Sequence, residues 1–150
     1  MSAIRETIEI SRRPDEVFTY IADLASHPEW QEQIVSAHVD TDGPTRVGTR
    51  CTETRRLGAR DQTMTYEVVE HTPPRAFAFR GVDGPIRAIG RATIEPVDDG
   101  ARSRVTLDLD FEGHGLGKLM LPLVRSQARK QVLHDQRHLK QQLEQDQPAS

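Results

Sequence analysis

Gly117-Lys118-Leu119-Met120-Leu121-Pro122-Leu123-Val124-Arg125-Ser126-Gln127-Ala128-Arg129-Lys130-Gln131-Val132-Leu133-His134-Asp135-Gln136-Arg137-His138-Leu139-Lys140-Gln141-Gln142-Leu143-Glu144-Gln145 is the stretch on which the fold turns. It has no glycine after Gly117, a single proline near its start and few β-branched residues, and its interior is rich in good helix formers. Apolar residues recur at Leu121, Val124, Ala128, Val132, Leu139 and Leu143, a spacing that stays on one helical face. At about 1.5 Å per residue the helix runs roughly 40 Å. That is too long for the remainder of a small domain to surround, so the spacing predicts a helix lying across a sheet.

The upstream chain reads as that sheet. In residues 3–11, Ile4, Ile8 and Ile10 point one way and Arg5, Thr7, Glu9 and Ser11 the other, with Glu6 the exception on the apolar parity. Pro14 opens a helix with Asp15 and Glu16 in its first turn, where the helix dipole favours acids. Ser26-His27-Pro28-Glu29 reads as a capping box for a second short helix that carries Trp30. Strands are then expected over Ile34–Thr41, Val47–Leu57, Thr63–His71, Arg75–Gly81, Ile86–Val97 and Arg102–Glu112. Turns at Asp42-Gly43-Pro44, Gly58-Ala59-Arg60-Asp61, Pro73-Pro74, Asp83-Gly84-Pro85 and Asp98-Asp99-Gly100 separate them. Gly113, Gly115 and Gly117 read as a hinge before the long helix. The fold class is therefore α+β: about seven antiparallel strands, two short helices between the first two, and a long C-terminal helix. Residues 1–145 make one domain, with 146–150 expected to fray.

Composition narrows the function classes. The 150 residues carry 20 basic and 23 acidic side chains for a net charge of -3, so no basic face announces nucleic acid. The single cysteine, Cys51, excludes an internal disulfide and a cysteine-rich zinc site and suits a reducing compartment. The start lacks a signal-peptide pattern, and no apolar run approaches a membrane span. The expected setting is cytoplasmic and soluble.

Local motifs sharpen the fold. Pro14-Asp15-Glu16-Val17-Phe18-Thr19-Tyr20-Ile21-Ala22-Asp23 followed by His27-Pro28-Glu29-Trp30 resembles the opening signature of bacterial polyketide cyclase/dehydrase proteins. These form a branch of the SRPBCC superfamily, which also holds START lipid-binding domains and the birch-pollen allergen family. Val47-Gly48-Thr49-Arg50, Tyr66-Glu67-Val68, Pro73-Pro74-Arg75 and Glu95-Pro96-Val97 are similar to later landmarks of that branch. The resemblance implies a helix-grip fold, in which a curved sheet wraps the long helix around a cavity for lipids, quinones or polyketide-like molecules. It brings no shared catalytic motif.

The residues themselves suggest a lining. Trp30, Met64, Tyr66, Phe77, Phe79, Ala88, Ala92, Leu109, Val124 and Ala128 are the candidate ligand-binding residues. Trp30 could equally be core, as could Tyr66 with its one hydroxyl. Ala88, Gly90 and Ala92 put three small residues on one face, so either the helix approaches closely there or space is left open. Tyr66, Glu53 and Arg55 are the candidate catalytic residues. If Cys51 points inward, Glu53 and Arg55 follow it and supply an acid and a base or an anion clamp. If it points outward, Thr52 and Thr54 face in and the charges form an ordinary solvated strand. Cys51 reads as a small hydrophobe rather than a nucleophile. His134 and His138 have metal-ligand spacing with Asp135 between them, but the glutamate of a metalloprotease motif is absent and the surrounding Arg129, Lys130, Arg137 and Lys140 read as a solvated face, so neither metal nor cofactor is expected. His27 and His114 read as exposed, and Gln127 or Gln131 could reach inward.

The expected partner is a small hydrophobic ligand, with no nucleic acid and no integral membrane segment, and a homodimer is left open. Three readings follow: a binding protein for a small apolar or amphipathic molecule, a cyclase or dehydratase using acid/base residues in the cavity, and an interaction protein docking on a larger complex.

Overall fold

The computed structural model describes residues 4–57 and 59–145. The turn residue Gly58 and the expected tail 146–150 lie outside them. Chain order is β1 (Ile4–Ile10), α1 (Pro14–Ala22), a 3-10 turn (Leu24–Ser26), α2 (His27–Trp30), β2 (Ile34–Val39), β3 (Arg50–Leu57), β4 (Arg60–Thr72), β5 (Ala76–Gly81), β6 (Ile86–Val97), β7 (Arg102–Gly113), a second 3-10 turn (Gly115–Met120) and α3 (Leu121–Gln145). The strands form a single antiparallel sheet in the order β1-β7-β6-β5-β4-β3-β2. This is the helix-grip architecture. Several ends differ from expectation: β2 stops at Val39, β3 begins at Arg50 with Val47 exposed, β4 begins at Arg60 within the expected turn, and the first turns of the expected helix are 3-10.

Hairpin chemistry sets the register. Asp98 and Asp99 both take positive φ, 53° and 56°, at the tight turn between β6 and β7. Short polar side chains tolerate that left-handed region better than most. From there β6 and β7 pair over their full lengths, from Val97 with Arg102 to Ile86 with Gly113. Bulges between Ile34 and Ser36 and between Val68 and Glu70 bend the sheet.

The core gathers Ile10, Val17, Phe18, Ile21, Leu24, Val68, Phe77, Ile94, Val105, Leu139 and Leu143 where α1 and the C-terminal half of α3 meet the sheet. Each fully buried aliphatic or aromatic side chain contributes about 1.5–3 kcal/mol. Polar contacts stitch the same half of α3 to β1 and the segment after it. Gln136 Nε2 donates to the Glu6 carbonyl at 2.9 Å, Lys140 Nζ to the Glu9 carbonyl at 2.8 Å, and Arg12 Nη1 to the Leu143 carbonyl at 2.7 Å. The Ser11 amide donates to Glu144 Oε2 at 2.9 Å.

The N-terminal half of α3 is held differently. Leu121, Val124 and Ala128 are only half-buried, while Leu116, Leu119, Met120 and Leu123 are exposed. The close backbone neighbours of α3 are β1, β7, α2 and the 3-10 turn, so the helix leans toward the β1–β7 side of the sheet. Two of the three glycines before it, Gly113 and Gly117, are closely packed. A Cβ on Gly117 would lie 2.2 Å from the Pro85 carbonyl oxygen, and one on Gly113 would lie 2.7 Å from the Lys118 backbone. These residues are glycine because backbone meets backbone there.

Candidate functional site

β3 carries the decisive geometry. Cys51 and Glu53 are buried, at 0% and 4% exposure, so the odd-numbered residues face inward. Thr52 and Thr54 face out, the first donating to Asp40 Oδ2 at 2.6 Å and the second bonded to Thr63 across the β3–β4 pair at 3.1 Å. The solvated charged strand is therefore corrected to the other parity. Register explains it: Cys51 pairs with Tyr66, and Glu53 sits between Ala37 on β2 and Met64 on β4. An inward charge persists only when paired. Arg55 Nε donates to Glu53 Oε1 at 2.9 Å, and Arg55 Nη2 donates to Gln31 Oε1, just after α2, at 2.6 Å.

Next to this pair lies a buried set from three elements. His27 is not exposed as expected but 5% accessible, packed edge-on to Trp30 with ring centroids 5.6 Å apart. Its Nε2 lies 2.8 Å from the Ile21 carbonyl, which can only accept, so Nε2 bears the proton and Nδ1 is an acceptor. The Tyr66 hydroxyl is 3.4 Å from that Nδ1 and donates to it. Burial pushes the His27 pKa down, so the ring stays neutral. Burial, followed by the Glu53 charge, pushes the Tyr66 phenol well above its usual range, which keeps it a proton donor. Burial likewise raises the Cys51 thiol, in agreement with its reading as a small hydrophobe. The expected capping box does not form: Ser26 Oγ bonds the Tyr20 and Asp23 carbonyls, and Glu29 takes the Tyr20 hydroxyl.

The ten candidate lining residues fall into two groups. Trp30, Tyr66, Phe77 and Ala92 are buried. Met64, Phe79, Ala88, Leu109, Val124 and Ala128 are half-buried although they belong to the apolar faces of the sheet and of α3. The apolar residues between sheet and helix are thus buried toward α1 and half-buried toward the β5–β6 turn and the start of α3. Gly90 answers the question of small residues in a third way. A Cβ there would lie 2.4 Å from the Phe79 ring, so the room is taken by an aromatic from the neighbouring strand. Phe79 in turn tilts against Tyr66, centroids 5.0 Å apart. The two best-formed depressions of the surface, of about 420 and 390 Å3, are open grooves beside α1 and do not touch this wall. One buried donor, Trp30 Nε1, has no partner among the described residues.

From α3, Asp135 points inward, where the sequence suggested a solvated face. It accepts from Gln131 Nε2 at 2.8 Å, and burial raises its carboxyl to about 6 against the opposing pull of that bond and of Arg55. His114 is exposed and Gln127 faces solvent. His134 and His138 do find a third donor, Glu32, 102 residues away in sequence. Gln31 and Glu32 were not singled out as site residues because each gains its role through a tertiary partner, and His27 and Asp135 because their burial is set by the tertiary fold. The one local signal was the nearness of His27 and Gln31 to Trp30.

A family model described as "Polyketide cyclase / dehydrase and lipid transport" matches residues 1–144. The chain belongs to that family. No curated protein matches it. Among solved structures, the chain is similar to a protein from Thermus thermophilus at 19% identity and a TM-score of 0.80, covering 97% of this chain and 99% of that one. It is similar to the Zhui aromatase/cyclase from a Streptomyces species at 13% identity and 0.80, with 95% and 93% covered. A START superfamily protein from Mycobacterium smegmatis aligns at 15% identity and 0.78, with 95% and 97% covered. At these identities the likeness is one of fold.

Proposed function

We propose that this chain binds a small hydrophobic or amphipathic molecule, of lipid, quinone or polyketide type, between the sheet and α3. The observation that carries the reading is the burial gradient along that space, apolar and half-open at Met64, Phe79, Ala88, Leu109, Val124 and Ala128, ending on a polar set at Tyr66, Glu53 and Arg55. An apolar body gains about 25 cal/mol per Å2 by covering the half-open wall. A carbonyl or hydroxyl head at the inner end would meet the Tyr66 hydroxyl or the unpartnered Trp30 N–H, and such polar groups fix orientation in an otherwise apolar site. Leu116, Leu119, Met120 and Leu123 border the open end and offer an apolar approach to it.

A second reading, a cyclase or dehydratase, is favoured by the inward Glu53–Arg55 pair beside a phenol held in its protonated form. In that chemistry Tyr66 donates a proton or hydrogen bond to a developing enolate, and Glu53 accepts a proton from carbon.

Fluorescence titration with anilinonaphthalene sulfonate, followed by displacement with oleate, tests the binding reading. Saturable binding that is lost in Ala88→Trp supports it; binding unchanged in Ala88→Trp overturns it. Glu53→Gln separates the two readings. A carrier keeps its affinity for a poly-β-ketone analogue, whereas an enzyme keeps affinity and loses turnover.

A further inference from the structure

We propose that His134, His138 and Glu32 form a binding site for a borderline divalent metal ion such as Zn2+, clipping α3 to the turn between α2 and β2. The proposal does not rest on the ligand-binding reading. His134 and His138 lie one turn apart on α3, with ring centroids 4.3 Å apart. Glu32 reaches them from the turn that follows α2, and its Oε2 lies 2.6 Å from His134 Nε2. One donor atom from each of the three residues falls within 4.8 Å of the others.

A tetrahedral zinc centre with bonds of about 2.0–2.2 Å needs donors about 3.3 Å apart. The three groups lie within reach of that spacing; Glu32 and His134 stand exposed, where their rotamers can adjust, and His138 is half-buried beside them. The Glu32–His134 hydrogen bond is shorter than that edge, so an ion entering between them replaces the proton and moves the two groups slightly apart. Two imidazoles and one carboxylate suit zinc, cobalt, nickel or copper rather than magnesium or calcium, which prefer all-oxygen shells. Three protein donors leave a fourth position for water or an anion.

The placement gives the ion a structural consequence. Gln31, the residue before Glu32, holds Arg55. Asp135, the residue after His134, is buried beside the same arginine's field. A metal joining Glu32 to the two histidines therefore ties the two elements that flank the Glu53–Arg55 pair. The sequence shows only the histidine pair, because the third donor comes from the far end of the chain.

The test uses untagged protein freed of metal with a chelator, titrated calorimetrically with ZnCl2 and, in parallel, with CoCl2 while the visible spectrum is followed. The expected result is one equivalent bound, a rise in melting temperature, and the d–d absorption of four-coordinate cobalt. Affinity is expected to fall about tenfold or more in Glu32→Gln and again in His138→Asn, since each removes one ligand. MgCl2 should bind far more weakly. Circular dichroism of the exposed-site variants should match the parent. No saturable zinc binding, or zinc binding undiminished in the His134→Asn/His138→Asn double variant, would overturn the proposal.

Discussion

Arg55 Nε stands 2.9 Å from Glu53 Oε1 on the inward face of β3, and the carboxylate side chain of that pair is only 5% exposed. The arginine is 21% exposed and has a second acceptor in Gln31, so the two partners are not equally dependent on each other. Removing the arginine strands a buried anion; removing the carboxylate leaves a cation that still has Gln31 and some water.

The stability effects should therefore be asymmetric. Arg55→Met is expected to cost about 3 kcal/mol, the range for orphaning one half of a buried pair. Glu53→Gln is expected to cost about 1 kcal/mol, an ordinary net hydrogen-bond loss. The double variant should cost less than the sum, since the uncompensated charge disappears. Urea denaturation of the four proteins measures all three terms. Equal single costs would contradict the asymmetry.

His27 gives a pH dependence with a definite sign. Its folded-state pKa is depressed below the ordinary 6.5 by burial, so in acid the unfolded chain binds a proton that the folded chain refuses. The His27 share of stability should fall as the pH drops below 6.5 and approaches about 5, while Asp135, its carboxyl raised to about 6, contributes the opposite sign in the same window, so the difference between the parent and His27→Gln is what isolates the loss. Chemical denaturation across that range checks it. Nitrogen chemical shifts of the ring should show the Nε2–H tautomer demanded by the Ile21 carbonyl.

Two glycines should respond unequally to alanine. At Gly117 the obstacle is the Pro85 carbonyl, 2.2 Å from the added Cβ, and backbone does not step aside. Gly117→Ala is expected to cost about 3 kcal/mol and to loosen the start of α3. At Gly90 the obstacle is the tip of the Phe79 ring, which can swing into the half-open cleft. Gly90→Ala should cost about 1 kcal/mol while weakening probe binding. Thermal melts and the anilinonaphthalene sulfonate titration distinguish the two. A larger stability loss at Gly90 would count against this account of both contacts.

The architecture was legible because its signals are periodic and local. Alternation in β1, β6 and β7, the turn at Asp98-Asp99-Gly100, and the helical spacing from Val132 to Leu143 each speak for themselves. The site was less legible because its decisive facts are pairings across the chain. In β3, threonines and charged residues alternate from Thr52 to Arg55, so either parity satisfies the pattern, and only the register against Ala37 and Met64 chooses. His27 and Asp135 look solvated in sequence because their burial, at 5% and 7% exposure, comes from packing against distant elements, although their hydrogen-bond partners Ile21 and Gln131 are close in the chain. At Gly90 the sequence left helix approach and open space undecided, because the actual filler, Phe79, belongs to another strand.

The central claim concerns the half-open apolar wall under α3, and native mass spectrometry of untagged protein purified from its own host addresses it most directly. The account predicts a mass excess of one small apolar or amphipathic molecule per chain, absent from Ala128→Trp, whose indole would occupy the half-buried position on the helix side of the cleft. Wild-type protein that is repeatedly free of ligand and takes up none from a host lipid extract would contradict it.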